Sequence, residues 1–326
     1  MNFKNLFSFR GKHSRQQAPQ SFPSQAQTDT VEISLAEIRE SLRNSAKDII
    51  AVRDLEHDTA EKAPEMQKIP KVETAAYSHI GTRNYQQDSA FVSPSTVFSQ
   101  KGTERILAVL CDGMGGLSDG GKASEIAVET IKQDFQKIYN QQDCDIPAFY
   151  RSEIQKIDEA VCRLGKGKER YNAGTTFISV ILEKGIIFLA CVGDSRIYLI
   201  RSHQIYQITR EHNYFLQLKE RVEAGELTME EAKSDPRKDA LISYLGMDGV
   251  KLMDVVPRGL PLHSGDLILL CSDGLTKELS DSEILEIVDQ NTEDLGMTAR
   301  YLALSAFDKD LTSKDNTTVI LVRYTE

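Results

Sequence analysis

Three aspartates far apart in the chain each stand at the edge of a short apolar run. Asp112 follows Ala108-Val109-Leu110-Cys111 and precedes Gly113-Met114-Gly115-Gly116; Asp273 follows Leu269-Leu270-Cys271-Ser272 and precedes Gly274; Asp315 opens the run Asn316-Thr317-Thr318-Val319-Ile320-Leu321-Val322. Apolar runs of this length bounded by Gly or Asp predict buried strands. Strand ends are rigid places from which side chains distant in sequence can converge. Carboxylates brought together repel one another unless a cation sits between them. Oxygen ligands with no Cys or His among them point to a hard divalent ion such as Mg²⁺ or Mn²⁺ rather than Zn²⁺. Any one Asp-Gly after a strand can equally be a turn whose side chain satisfies nearby backbone donors. After Asp112, however, the run of glycines leaves the backbone free to approach a ligand and to offer a carbonyl, and the three acids together favour a metal site.

The elements that must position these acids follow from periodicity. Strands are expected at 106–111, 176–182, 186–192, 196–201, 204–208, 267–271 and 317–323, and helices at 122–138, 154–164, 281–289 and 295–307. The helix over 122–138 presents Ile126, Ala127, Ile131 and Phe135 on one side. The four strand runs between 176 and 208 are joined by turns as short as Glu183-Lys184-Gly185 and Gly193-Asp194-Ser195. Such turns force antiparallel pairing, because parallel neighbours need crossovers of roughly a dozen residues or more. Residues 212–248 are charged and helix-prone, broken by Pro236, and interrupt the strands for longer than an ordinary loop. The pattern is α/β of the mixed α+β kind, with antiparallel sheets and helices segregated outside them.

Composition narrows the class. A chain of 326 residues with 40% hydrophobic content holds one large domain plus an extension, or two ordinary domains. A net charge of −10, with few basic clusters beyond the first residues, argues against a nucleic-acid groove. The 5 cysteines are odd in number and lack a C-x-x-C pair, so neither a disulfide framework nor a zinc ribbon is expected. Cys111, Cys191 and Cys271 lie among apolar residues and read as small core side chains. No run reaches the roughly 18 apolar residues of a membrane span, and the N-terminus lacks the apolar core of a secretory signal, so a cytoplasmic protein is expected.

Residues 1–71 are expected to form an N-terminal extension, largely disordered, with linker composition such as Gln16-Gln17-Ala18-Pro19-Gln20 near its start. Its first ten residues mix Phe3, Leu6, Phe7 and Phe9 with Lys4 and Arg10; they suit either a floppy tail or contact with an anionic membrane or a partner. Leu35, Ile38, Leu42, Ile49 and Val52 predict a helix over about 31–58 with one narrow apolar stripe. That stripe could pack in cis, pair in a coiled coil or dock a partner. Residues 59–71, with Pro64 and Pro70, read as a connector.

Seven motifs stand in order along residues 75–324: Arg83 with Asp88 five residues on, Asp112-Gly113-Met114-Gly115-Gly116, Ala173-Gly174-Thr175-Thr176, Val192-Gly193-Asp194-Ser195-Arg196, Gly265-Asp266, Ser272-Asp273-Gly274-Leu275 and Asp315-Asn316-Thr317-Thr318. Together they resemble the metal-dependent Ser/Thr protein phosphatases of the 2C type, in their bacterial form. The resemblance implies a catalytic domain over 72–326 built as a four-layer α-β-β-α sandwich, two antiparallel sheets flanked by helices. It also implies two Mg²⁺ or Mn²⁺ ions per site and hydrolysis of phosphomonoesters by a water those ions activate. The partners implied are phosphorylated proteins, the targets of Ser/Thr kinases. By position, Asp112 resembles the carboxylate that bridges both metals, the Gly113 carbonyl a ligand of the second, and Asp273 and Asp315 ligands of the first. Gln87, Asp88 and Asn316 resemble groups just outside the ligands, Asp88 orienting water on the metals. Arg83 carries a planar fork of donors suited to bidentate contact with a phosphate and is the candidate catalytic residue.

Several positions depart from the family pattern. Gln87 stands where many members have Glu, Met114 where animal members have a His thought to protonate the leaving oxygen, and Arg170-Tyr171-Asn172 where many bacterial members place an Asp for a third metal. A third ion is therefore not expected. Asp194 and Arg196 read as an ion pair or turn brace. His212, which opens the insertion 212–248 that resembles the bacterial flap, reads as structural or flap-positioning. Two other functional classes remain: a pseudophosphatase acting as a binding or regulatory module, and a two-metal phosphodiesterase, which the acidic charge disfavours.

Overall fold

The computed structural model describes residues 29–31, 70–97, 105–115, 119–164, 173–309 and 314–326. In chain order these form β1 (Asp29–Val31), β2 (Lys71–His79), β3 (Asp88–Val92), β4 (Thr96–Val97), β5 (Arg105–Gly115), α1 (Asp119–Ile138), α2 (Ile146–Cys162), β6 (Ala173–Thr175), β7 (Phe177–Glu183), β8 (Ile186–Val192), β9 (Arg196–Arg201), β10 (Gln204–Gln207), α3 (Tyr214–Glu223), α4 (Met229–Ser234), β11 (Leu252–Val255), β12 (Leu260–Pro261), β13 (Leu267–Cys271), α5 (Asp273–Thr276), α6 (Asp281–Gln290), α7 (Leu295–Asp308) and β14 (Thr317–Thr325).

Side chains along a strand alternate between its two faces, and β5 shows what that alternation builds. Ile106, Ala108 and Leu110 join a core shared with Ile197, Leu199, Ile268, Leu270, Ile320 and Val322. Leu107, Val109 and Cys111 instead meet Ala127, Ile131 and Phe135 of α1 and Ile154 and Ile157 of α2. The strand is thus buried on both faces, which is why its sequence is a continuous apolar run. A third core lies outside the other sheet, where Leu267, Leu269, Cys271 and Leu321 pack on Ile284 and Val288 of α6 and Leu302 of α7. Helices, sheet, sheet and helices follow one another, the four-layer sandwich the sequence resemblance implied.

One sheet has the order β1-β11-β8-β7-β5-β3, with β6 on β5 and β12 on β8; the other runs β10-β9-β13-β14-β2-β4. Every pairing is antiparallel except that of β1, which lies parallel to β11 with Asp29 opposite Leu252. Asp29–Val31 is therefore strand at the point where the sequence suggested tail giving way to helix. The remainder of the expected helix over 31–58, the tail before it, residues 59–69 of the connector, and Arg170-Tyr171-Asn172 lie outside the described residues. Among the described residues no helix is long and apolar enough to cross a membrane.

One helix boundary moves substantially. Helix α2 starts at Ile146 rather than near 154, because Asp145 caps it by accepting from Ala148 N at 2.9 Å and Pro147 lies in its first turn. The C-terminal end of the 212–248 insertion is fastened to this helix. Buried Asp158 accepts from the backbone N–H groups of Gly246 (2.7 Å), Met247 (3.2 Å) and Gly249 (2.8 Å). Asp158→Ala strips the acceptor from all three donors and should lower the unfolding free energy by about 2–4 kcal/mol. Urea denaturation at neutral pH tests this, and an unshifted midpoint would count against the staple.

Candidate active site

The candidate acids are brought together by pairing within one sheet and bridging to the other. In the first sheet Asp88 lies directly opposite Asp112 in the β3–β5 ladder. Asp112 sits inside β5, which continues through Gly115 rather than ending at Cys111, because residues 113–115 pair with β6. Its backbone is fixed from the side: Asp112 N donates to Thr176 Oγ1 at 2.9 Å, and Asp112 O accepts from Thr176 N at 2.8 Å and Thr175 Oγ1 at 3.0 Å. From the second sheet come Asp273, two residues past β13, and Asp315, two residues before β14. Ser272 joins the two sheets. Its hydroxyl donates to Asp88 Oδ2 at 2.8 Å while accepting from Thr318 N at 2.9 Å.

Two glycines have steric reasons for their places beside the acids. A Cβ on Gly113 would stand 2.1 Å from Gly120 O, and one on Gly274 2.1 Å from Asn316 O, so both Asp-Gly pairs mark close backbone approach. Asn316 organises the loop that carries Arg83. It donates to Ile80 O (2.8 Å) and Tyr85 O (3.2 Å), and its Oδ1 accepts from Gln87 N at 2.8 Å. Gln87 in turn accepts from Gly113 N at 3.1 Å through its carbonyl and reaches Gly115 O at 3.4 Å with its side chain. Arg83 Nη2 then lies 2.9 Å from Asp315 Oδ2. An open cleft of about 370 Å³, lined by Tyr85, Gln86, Gln87, Lys122 and Glu125 among others, runs alongside.

The electrostatics are those of crowded acids. Asp88 is raised from 3.8 to about 6, first by burial, against the lowering hydrogen bonds of Thr318 and Ser272, and further by Asp273 and Asp315. Asp112 is pushed well above the usual carboxylate range by burial and then by Asp88 and Asp273. Asp273 is raised by burial, although Lys277 works in the opposite direction. Asp88 Oδ1 and Asp273 Oδ1 are buried without a hydrogen-bond partner. Among the described residues, no three acidic, His or Cys side chains close around a common point as they stand. The Lys277 ammonium instead lies 2.5 Å from Asp273 Oδ2 and 3.6 Å from Asp315 Oδ2.

Two participants were missed by sequence reasoning. Asp194 does not pair with Arg196, which binds Glu211 at 2.5 Å and Tyr198 Oη at 2.9 Å. Asp194 belongs electrostatically to the acid cluster and is raised to about 7, by burial and then by Asp273. Lys277 carried one legible signal, its i+4 spacing from Asp273. His212 braces the turn that carries Asp194, and its ring meets Asp254 rather than Asp112, Asp273 or Asp315. Wholly buried, it accepts from Gly193 N at Nδ1 (3.2 Å) and therefore presents an Nε2–H to Asp254 Oδ2 (2.9 Å), which Arg210 also grips at 2.8 Å through two nitrogens.

A sandwich of two antiparallel sheets between helices, with acids gathered where the sheets meet, defines the architectural class. The model of the protein phosphatase 2C family matches residues 75–305, and the chain belongs to that family. The chain is similar to the serine/threonine phosphatase Stp of Listeria monocytogenes, 31% identical over 228 residues, 69% of this chain and 87% of that protein. Among solved structures it is similar to a serine/threonine phosphatase of S. agalactiae (29% identity, 78% of this chain and 100% of that one, TM-score 0.65). It is also similar to the catalytic domain of the serine/threonine protein phosphatase PstP in complex with two manganese ions (25% identity, 79% of this chain and 100% of that one, TM-score 0.62).

The raised acids carry a pH signature. Folded Asp88 and Asp194 keep protons that the unfolded chain has released near 3.8, so the stability they add is complete below that value and is lost as pH rises through about 6 and about 7. In chelator, Asp88→Asn should therefore lose less stability than wild type between about pH 4 and pH 7. Urea midpoints across that range report the difference, and parallel pH profiles would exclude the assignment. Because Asp254 is held low and acts in the opposite direction, the comparison of variant with wild type is the informative quantity.

Proposed function

We propose that this chain is a metal-dependent protein serine/threonine phosphatase whose centre is built from Asp112, the Gly113 carbonyl, Asp273 and Asp315. The observation that carries the reading is the gathering of Asp112, Asp273 and Asp315 from two sheets, with Arg83 held against Asp315, in a chain of this family. The residues fit a hard divalent ion: their donors are all oxygen, two buried carboxylate oxygens lack partners, and burial with mutual repulsion opposes charging of the acids. Two Mg²⁺ or Mn²⁺ ions bound there would supply an activated water as the nucleophile toward phosphorus.

The chain's own residues do the rest. Asp112, Asp273 and Asp315 would hold the ions, and the Gly113 carbonyl is kept at hand by the close packing of Gly113 on Gly120. Asp88, fixed by Ser272, offers a free oxygen with which to orient water. Arg83 leaves Asp315 to fork onto two phosphate oxygens that are not attacked, binding the phosphomonoester and stabilising the transferring group. Asn316 and Gln87 hold the Arg83 loop in register. Met114 offers no acid to protonate the leaving oxygen, and a water held by the ions would be the donor. The cleft beside Tyr85 gives a phosphorylated polypeptide, the target of a Ser/Thr kinase, a lane to the site.

Residues 72–326 form the catalytic domain in this reading, with residues 1–71 as an extension that docks in cis or to a partner. The five cysteines are all free, which suits a reducing cytoplasm. Retention of the three core acids and Arg83 favours an enzyme over a pseudophosphatase. Phosphate release from p-nitrophenyl phosphate in millimolar Mn²⁺ or Mg²⁺ tests activity. Arg83→Ala should lower kcat/KM by roughly 10²-fold while Mn²⁺ binding persists, whereas Asp112→Asn and Asp273→Asn should abolish Mn²⁺ uptake measured by calorimetry. Full turnover by Asp273→Asn, or none by wild type in either metal, would refute the assignment.

A further inference from the structure

Lys277 is a cation that the proposed chemistry does not use, and it stands at the centre of the acid cluster. It follows α5 by one residue, and its ammonium bridges Asp273 Oδ2 at 2.5 Å and Asp315 Oδ2 at 3.6 Å. These acids come from different strand ends of one sheet, so a single positive charge ties β13 to β14 across the site. Arg83 adds a second cation, but it reaches Asp315 only. The ammonium takes only one oxygen of Asp273, Oδ2. Asp273 Oδ1 is buried and has no partner, so one oxygen of this carboxylate remains free while the other is taken.

The burial pattern shows which member of the pair can leave. The Lys277 side chain is 54% exposed and that of Asp273 19%. Lysine carries its charge on a flexible four-carbon stem and is readily hydrated, so it can withdraw into water. The aspartate is less free to follow, because the next residue, Gly274, is packed so closely on Asn316 that a Cβ there would stand 2.1 Å from Asn316 O. A divalent ion approaching Asp273 and Asp315 would meet a like charge already seated on both.

Resting on the proposed metal centre, we propose that Lys277 is a resident counter-ion of this site: it neutralises Asp273 and Asp315 in the metal-free protein and must be displaced for the ion they bind to enter. The lysine thereby weakens metal uptake and supports the metal-free fold. Metal occupancy in this chain becomes a competition between an internal ammonium and an external cation, set by the free concentration of the latter.

Calorimetric titration of Mn²⁺ into the full-length, chelator-stripped protein tests the competition, with Lys277→Gln and Lys277→Arg alongside wild type. Lys277→Gln should bind Mn²⁺ about three- to tenfold more tightly, the span expected for removing one partly exposed opposing charge. Lys277→Arg keeps the charge and should track wild type. In thermal melts, Lys277→Gln should unfold at lower temperature than wild type without metal, and saturating Mn²⁺ should narrow that gap. Equal or weaker Mn²⁺ binding by Lys277→Gln, with wild type still binding, overturns the inference and leaves the phosphatase reading standing. Absence of Mn²⁺ uptake by all three proteins overturns both.

Discussion

Carboxyl groups from strands β3 and β5 and from the ends of β13 and β14 are held near one another although each makes charging its neighbours more costly. Burial and mutual repulsion both raise Asp88 and Asp112, and Asp273 would rise further without Lys277 beside it. A flexible chain would relieve such crowding by moving the acids apart. This chain cannot, because each acid belongs to a ladder or to a turn whose backbone is already committed. Asp88 is paired across from Asp112, Asp273 is pressed against Asn316 through Gly274, and the backbone of Asp112 is bonded to Thr175 and Thr176. Repulsion is therefore stored in the folded state and is available to favour whichever cation enters.

The two sheets supply the rigidity that makes this possible. Their facing sides share one core, and each has a second core under its own helices, so neither sheet can slide without disturbing two packed interfaces. At the site end the apolar core gives way to hydrogen bonds that continue the same function. Ser272 reaches from β13 to Asp88 of the other sheet and to Thr318 of its neighbour, and Asn316 ties the Arg83 loop to the start of β14. The polar bridge is small, but it lies where an error in the relative placement of the sheets would displace Asp88 from Asp273.

What could be read from the sequence divides along the same physical line. Strands 186–192, 196–201 and 267–271 were placed to the residue, because apolar runs closed by tight turns leave little freedom in register. The positions of Asp112, Asp273 and Asp315 were legible because each stands beside a strand signal, reinforced by a following glycine at Asp112 and Asp273. The start of α2 was misplaced although Asp145 and Pro147 carried the cap, since the apolar repeat that draws attention begins later. The continuation of β5 through Gly115 depends on β6, a partner about sixty residues away. Asp194 and Lys277 were missed for a related reason. Asp273 beside Asp194 and Asp315 beside Lys277 are brought there by tertiary contacts, and local spacing gave Asp194 the wrong partner in Arg196.

The insertion between residues 212 and 248 is firmly held at both ends and lightly packed between them. At one end His212 and Gly193 exchange backbone and ring hydrogen bonds, fixing the turn that carries Asp194. At the other, Leu245 pairs with Thr175, the residue whose hydroxyl bonds Asp112 O, and Asp158 secures the loop that follows. Both ends are thus anchored to the backbone around the acids. Between them the helices are lightly packed: α3 buries only Leu218 and α4 only Ala232. An element with few buried apolar contacts opens at a lower free-energy cost than the core it is attached to. Substitutions on the exposed faces of α3 and α4 therefore disturb little of the packed structure, whereas changes at the two anchors reach the backbone that carries Asp112 and Asp194.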